Sequence, residues 1–164
     1  MIVKRLNSSN AIEYRELRLE GLLNYPSAFG SSYEEEKESS NEVYENRLAS
    51  EFITLGAFEN GQLTGIVTLV KETKMKLKHR ANIYAMYVRS VAHGKGIGKS
   101  LMIEAINRAK ELDGIEQVYL SVNKDNVAAR RLYLSMGFET FGIDKRSLKI
   151  EDTYYDEEHM VLFL

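Results

Sequence analysis

The chain has 164 residues, with 22 Lys and Arg against 24 Asp and Glu, for a net charge of −2. At 44% hydrophobic and 28% charged residues, it has an ordinary globular composition and carries no overall basic field for nucleic acid. The absence of cysteine excludes disulfides, thiolate metal sites and a cysteine nucleophile. His79, His93 and His159 show no metal-ligand spacing, so no metal site is expected.

No apolar run is long enough to span a membrane. The N-terminal stretch turns polar after Leu6, so no signal peptide is expected. The expectation is a single cytoplasmic domain over residues 1–164 with no nucleic-acid or membrane partner. Oligomeric state, a homodimer included, is not legible.

In chain order, Met1 to Leu6 reads as a strand and Ser8-Ser9-Asn10 as helix caps. Ala11 to Leu23 is helical, with Ile12, Leu19, Leu22 and Leu23 as its apolar stripe. Asn24-Tyr25-Pro26-Ser27 breaks it. Tyr33 to Ser50 reads as a second helical region carrying Val43, Tyr44 and Leu48. Phe52 to Phe58 and Gln62 to Val70 are strands joined by the hairpin signal Asn60-Gly61. The basic run Lys71 to Arg80 is a loop, and Asn82 to Val88 a strand. Ile97 to Leu112 is a strong helix, with Ile97, Leu101, Ala105 and Ala109 at four-residue spacing. Strand Gln117 to Val122, helix Asn126 to Met136 closed by Gly137, and strand Phe138 to Ile143 follow. Glu151 to Glu158 reads as an acidic loop and Met160 to Leu164 as the last strand. This order predicts an α/β fold around a mixed, mostly antiparallel sheet with helices on both faces.

The segment from Val88 to Ser100 joins an apolar strand to an amphipathic helix through Gly94, Gly96 and Gly98. Glycines permit close backbone approach, and a helix start presents unpaired N–H groups at a positive dipole end. Together they suit a phosphate. The P-loop spacing fails, because its first glycine would fall at His93. The dinucleotide fingerprint fails too, because its third glycine would fall at Lys99 or Leu101. A plain strand-to-helix turn is the alternative.

The pattern that fits, with Gly96 and Gly98 at the turn, resembles the acetyl-CoA pyrophosphate loop of the GCN5-related N-acetyltransferases (GNAT). His93 stands where that loop usually has Arg or Gln. Asn126 to Phe138 resembles the family's Asn-x-x-Ala-x-x-x-Tyr-x-x-x-Gly-Phe segment. The element order matches the family along essentially the whole chain. The resemblance implies acetyl-CoA as donor, with His93, Gly94, Lys95, Gly96, Ile97, Gly98 and Lys99 as its binding residues around the pyrophosphate. It implies that the backbone of Met86, Tyr87 and Val88 holds the acetyl carbonyl and pantetheine, and that Asn126 bonds the pantetheine. It also implies a parallel strand pair that splays apart after Val88 and Val122, and Tyr133 as the acid that protonates the departing thiolate. Read alone, Asn126 is equally a helix cap and Tyr133 core packing.

The implied activity is N-acetylation of a primary amine on a small molecule or a peptide. The alternatives are a non-catalytic acyl-CoA-binding module and a protein N-terminal acetyltransferase. The N-terminal branch of the family carries a glutamate where this chain has Ser121. No carboxylate or histidine base is therefore expected. A water relay through Tyr84, Ser121 or a backbone carbonyl is one substitute, and direct attack by a neutral amine is another. Glu34, Glu35, Glu36 and Glu38, with Glu151, Asp152, Asp156, Glu157 and Glu158, fall in segments that line the acceptor side in the resembling fold. Carboxylates and aromatic rings there suit a polyamine or another small cationic amine, with Glu34, Glu35 and Tyr84 as contacts. The alternative is a solvated surface.

Overall fold

The computed structural model describes residues 1–164. One seven-stranded sheet runs in the order β1-β2-β3-β4-β5-β7-β6. Its strands are β1 (Ile2–Arg5), β2 (Ile53–Glu59), β3 (Gln62–Lys71), β4 (Arg80–Val88), β5 (Gln117–Asn123), β6 (Glu139–Ile150) and β7 (Thr153–Phe163). Every neighbouring pair is antiparallel except β4 and β5. The helices are α1 (Ala11–Asn24), α2 (Tyr33–Glu36), α3 (Asn41–Ala49), α4 (Ile97–Glu111) and α5 (Val127–Ser135). No helix is long and apolar enough to cross a membrane.

The sheet separates two cores. On one face α4 and α5 bury Ile97, Leu101, Ala105, Ala109 and Tyr133 against Leu55, Val67, Ile83, Val118 and Leu120. The four-residue stripe predicted for α4 is thus its buried face. On the other face α1 and α3 bury Tyr14, Leu17, Leu22, Tyr44 and Leu48 against Leu63, Ile66 and Tyr87. Asn60 and Gly61 both take positive φ (49° and 78°) in a two-residue turn between Glu59 and Gln62, as a hairpin of primed type requires.

Three expectations change. The stripe expected on α1 is displaced: Ile12 and Leu23 are exposed, and the buried face is Ala11, Tyr14, Leu17, Arg18, Gly21 and Leu22. Gly21 is the close-contact point of that face, because a Cβ there would meet the Tyr87 ring at 3.0 Å. The region from Tyr33 to Ser50 forms two helices rather than one. Finally, the expected acidic loop at Glu151 to Glu158 is mostly strand β7, because that segment lies inside the sheet, flanked by β5 and β6. Its carboxylates find partners there: Asp156 accepts from the Arg146 N–H, Glu157 from the Ser147 hydroxyl, and Glu158 pairs with Arg130. Tertiary pairing overrides local polarity.

The break between α2 and α3 is organised by a buried ion pair. Arg18 of α1 donates two hydrogen bonds to Glu36, at 2.6 and 2.7 Å, and the Tyr44 hydroxyl adds a third at 3.2 Å. Both ionic side chains are 10% exposed. Burial alone would raise the Glu36 pKa; the Arg18 hydrogen bonds and charge, with Arg47 beside them, hold it below the ordinary carboxylate value. Glu36→Gln leaves the Arg18 charge buried without its counterion, and we expect a loss of about 3 kcal/mol in urea unfolding. A depressed folded-state pKa adds stability above the unfolded value of about 4.3. The gap between wild type and variant should therefore be full at neutral pH and shrink as pH falls through the folded-state value.

Candidate functional site

The parallel pair β4–β5 is short. Arg80, Ala81 and Asn82 face Gln117, Val118 and Tyr119, and no pairing continues beyond them. The strands therefore part after Asn82 and Tyr119, earlier than the expected positions after Val88 and Val122. Along the gap, the backbone groups that face each other lose their sheet partners.

A bulge accompanies the opening. Ala85 has φ +54°. The register jumps from Thr68↔Tyr84 to Ile66↔Tyr87, so β4 spends one residue more than β3. The bulge puts Tyr84 and Tyr87 on one face and turns Met86 and Val88 toward the α4 core. Tyr87 is pinned by its hydroxyl to Glu20 at 2.9 Å, and Arg89 donates to the same carboxylate. Burial, then that hydrogen bond and charge, push the Tyr87 phenol well above its ordinary pKa.

The glycine loop follows directly. His93 bonds back to the Val88 carbonyl at 2.7 Å through Nε2, and its ring sits 6.3 Å from that of Tyr25. His93 thus ties the loop to the end of β4. Lys95 pairs with Glu59 at 3.2 Å. Gly94 and Gly96 both have φ +77°, and a Cβ on either would point into open space. Gly96 is the N-cap of α4 and has no side-chain cap. The first bond inside the helix runs from Ser100 N–H to Gly96 O, leaving the N–H groups of Ile97, Gly98 and Lys99 at the helix start. At Gly98 a Cβ would meet Met86 Cε at 3.2 Å, so helix and strand pack closely there.

On α5, Asn126 is the N-cap, its Oδ1 accepting from Ala129 N–H at 3.1 Å. The cap occupies the side-chain oxygen and leaves the amide NH₂ as a donor. Tyr133 is 6% exposed and packs on Phe138 with ring centroids 6.0 Å apart. Burial alone pushes its phenol up to about 12, so the hydroxyl stays protonated at neutral pH.

Where β4 and β5 separate, a cleft of about 160 Å³ opens, lined by Asn82, Ile83, Tyr84, Tyr119, Leu120, Ser121, Phe141 and His159. Tyr84 and Ser121, both singled out in the sequence, meet here. His159 joins them and was not foreseen: its Nδ1 lies 2.7 Å from Ser121 Oγ, and its Nε2 3.9 Å from Asp144 Oδ2. Nothing local in the sequence links Ser121 to His159. They are brought together as direct cross-strand partners of β5 and β7. The sequence reading named no histidine base, and this pairing places an imidazole beside Ser121.

The acidic helix does not face the cleft with free charge. Glu34 pairs with Lys37. Glu35 is the reciprocal member of a capping box with Ser32, whose backbone and hydroxyl hydrogen bonds lower its pKa. Glu36 is held by Arg18. No group of three or more His, Asp or Glu side chains is placed to hold a metal ion.

A parallel pair splayed beside a glycine-lined helix start defines the N-acetyltransferase architecture. The sequence profile of the acetyltransferase (GNAT) family matches residues 19–138, and the chain belongs to that family. Its fold superimposes on an acetyltransferase of the GNAT family from Streptococcus pneumoniae with a TM-score of 0.86, at 24% identity over 99% of both chains. It also superimposes on a phosphinothricin acetyltransferase from Sinorhizobium meliloti, in complex with acetyl-CoA, with a TM-score of 0.86, at 19% identity over 99% of this chain and 88% of the other. Among curated relatives, the mycothiol acetyltransferase of Mycolicibacterium smegmatis is 31% identical over 109 residues, 65% of this chain and 37% of the relative. That of Kocuria rhizophila is 39% identical over 62 residues, 38% of this chain and 20% of the relative. The N-alpha-acetyltransferase RimI of Mycobacterium tuberculosis is 30% identical over 96 residues, 58% of each. The matched region thus spans less than two thirds of each of these curated relatives.

The residues present fit acetyl-CoA, the donor of this family. The glycine loop offers open N–H groups for a pyrophosphate, and the parted strands offer unpaired backbone for an amide-bearing arm. Gly96→Val forces a β-branched residue into positive φ, at a cost of about 1–2 kcal/mol, and fills the open side of the loop. Calorimetric titration should show acetyl-CoA binding weakened roughly tenfold or more. Gly114→Val, which strains another positive-φ turn (φ +75°) at the far end of α4, should leave that affinity unchanged.

Proposed function

We propose that this chain is an acetyl-CoA-dependent N-acetyltransferase acting on a primary amine. The observation that carries the reading is the early separation of β4 from β5 beside the Gly94–Lys99 loop, which opens a gap between the helix start and the Ser121 cleft. Bound acetyl-CoA supplies an acetyl group already activated as a thioester. The N–H groups of Ile97, Gly98 and Lys99 hold the pyrophosphate, with the backbone of Gly94 to Gly96 around it. The Asn126 NH₂ and the backbone of Met86 to Val88 fix the pantetheine and the acetyl carbonyl. Tyr133 donates its Oη proton to the leaving sulfur; its raised pKa keeps that proton available over the working pH range.

The acceptor enters from the opposite face of the sheet, between Tyr84 and the Phe141–His159 stack. Ring faces and the nearby Asp144 and Glu72 carboxylates suit a cationic amine. Attraction by Glu34 and Glu35 has less support, because both are engaged with partners in their own helix. A small cationic amine, polyamines included, is favoured over a protein N-terminus by the presence of Ser121 at the position where the N-terminal branch has glutamate. Retention of a buried phenol at Tyr133 favours catalysis over a purely binding module.

Three measurements test this reading. Acetyl-CoA at about 100 times its Kd should stabilise the fold by about 2.7 kcal/mol, and a thermal shift with ATP but none with acetyl-CoA overturns it. Thiol release from acetyl-CoA should depend on amine, and be greater with spermidine or tyramine than with an alanine-terminated peptide. Tyr133→Phe should lower kcat roughly 10²-fold and leave acetyl-CoA affinity nearly intact.

A further inference from the structure

Attack on a thioester needs an uncharged amine, and a cationic acceptor arrives as ammonium. Within the cleft, one group is built to take its proton. Ser121 and His159 are cross-strand partners, and a 2.7 Å contact joins Oγ to Nδ1, its direction set by the imidazole tautomer. The ring has a neighbour on each of two further sides. Phe141 stacks on it at 26° and 6.0 Å, and Asp144 Oδ2 lies 3.9 Å from Nε2. A carboxylate on that side favours the tautomer with hydrogen on Nε2, which leaves Nδ1 open to accept.

We propose that Ser121 and His159 form a proton relay for the amine, with Ser121 Oγ touching the acceptor and His159 Nδ1 taking up the proton. The step is a pure proton transfer. An N–H bond of the ammonium breaks as an O–H bond forms on Ser121 Oγ. The original Ser121 O–H bond breaks as an N–H bond forms at His159 Nδ1. The ammonium becomes a neutral amine, the serine is unchanged, and the imidazolium faces the Asp144 carboxylate. The groups around the ring are Asp144 and Phe141 from β6, Ser121 and Tyr119 from β5, and Tyr84 across the cleft on β4. Arg80 lies over the Tyr119 ring at 3.9 Å, and Glu72 acts on Tyr84. This relay rests on the acetyltransferase reading and assigns the base that reading leaves open.

The relay dictates the pH behaviour. An imidazolium cannot accept a proton, so kcat/KM should fall on acidification. It should then level off at higher pH, because the enzyme itself deprotonates the ammonium. In His159→Gln the amine must arrive neutral, so kcat/KM should be lower by roughly 10²-fold near neutrality and keep rising toward the amine's own pKa without levelling. The profiles are measured with spermidine or tyramine, whichever releases more thiol.

Ring-nitrogen NMR of isotope-labelled protein provides an arm that needs no turnover. Neutral His159, assigned by its absence in His159→Gln, should carry hydrogen on Nε2, and Ser121→Ala should relax that preference. Hydrogen on Nδ1 overturns the relay, as does an unchanged pH profile in His159→Gln. An acetyl adduct on Ser121 after incubation with acetyl-CoA alone also overturns it, because the serine is then a nucleophile. Failure of the broader reading looks different: acetyl-CoA gives neither a thermal shift nor thiol release, while the tautomer still decides the relay's geometry.

Discussion

The separation of β4 from β5 is the constraint on which the rest of the site depends. A parallel pair held over Arg80–Asn82 and Gln117–Tyr119 alone leaves two rows of backbone donors and acceptors that cannot reach each other. Unpaired peptide groups are costly when buried and are stable here only because the gap is open. The same gap is what an extended, amide-rich ligand can fill in the manner of an added strand. The sheet tolerates the opening because the core under α4 and α5 spans both halves, from Leu55 and Ile83 to Val118 and Met160. β1 to β4 are held by antiparallel pairing and by α1 and α3, whereas β5 to β7 are held by their own long hairpin and by α5.

The Ala85 bulge converts that opening into a site. One extra residue in β4 reverses which side chains face which core. Without it Tyr84 and Tyr87 would lie on opposite faces of the sheet. With it, Tyr87 locks α1 to β4 through Glu20 and the close approach at Gly21, while Tyr84 faces the cleft. Met86 and Val88 turn toward the start of α4, where Gly98 permits close approach to Met86. The bulge, the glycine loop and the helix start thus form one continuous piece of backbone geometry, and His93 closes it by bonding to Val88 O.

Charge in this protein is mostly used locally. The acidic run Glu34 to Glu36 serves a lysine pair, a helix cap and a buried arginine. The acidic run in β7 serves the β6–β7 hairpin and Arg130. Several carboxylates of these runs are therefore engaged within their own part of the fold. The groups left facing the cleft are ring faces, a serine hydroxyl and an imidazole, with a carboxylate behind it.

The sequence by itself determined the features that depend on local chemistry. Four-residue apolar spacing produced α4, Asn60-Gly61 the hairpin, and Gly94, Gly96 and Gly98 the loop whose spacing excluded other phosphate-binding patterns. The family segment from Asn126 to Phe138 placed a capping amide and a phenol on α5. Each of these is set by residues within a turn or two of one another. Other features were decided by tertiary structure alone. The point where β4 and β5 part depends on pairing between strands nearly forty residues apart. The reading of β7 as strand depends on neighbours on both sides of it, against its local polarity. The Ser121–His159 contact spans 38 residues and exists only because the β5–β7 register sets those two residues opposite each other. Register is a long-range property, fixed when whole faces are buried, and no local pattern around Ser121 or His159 could report it.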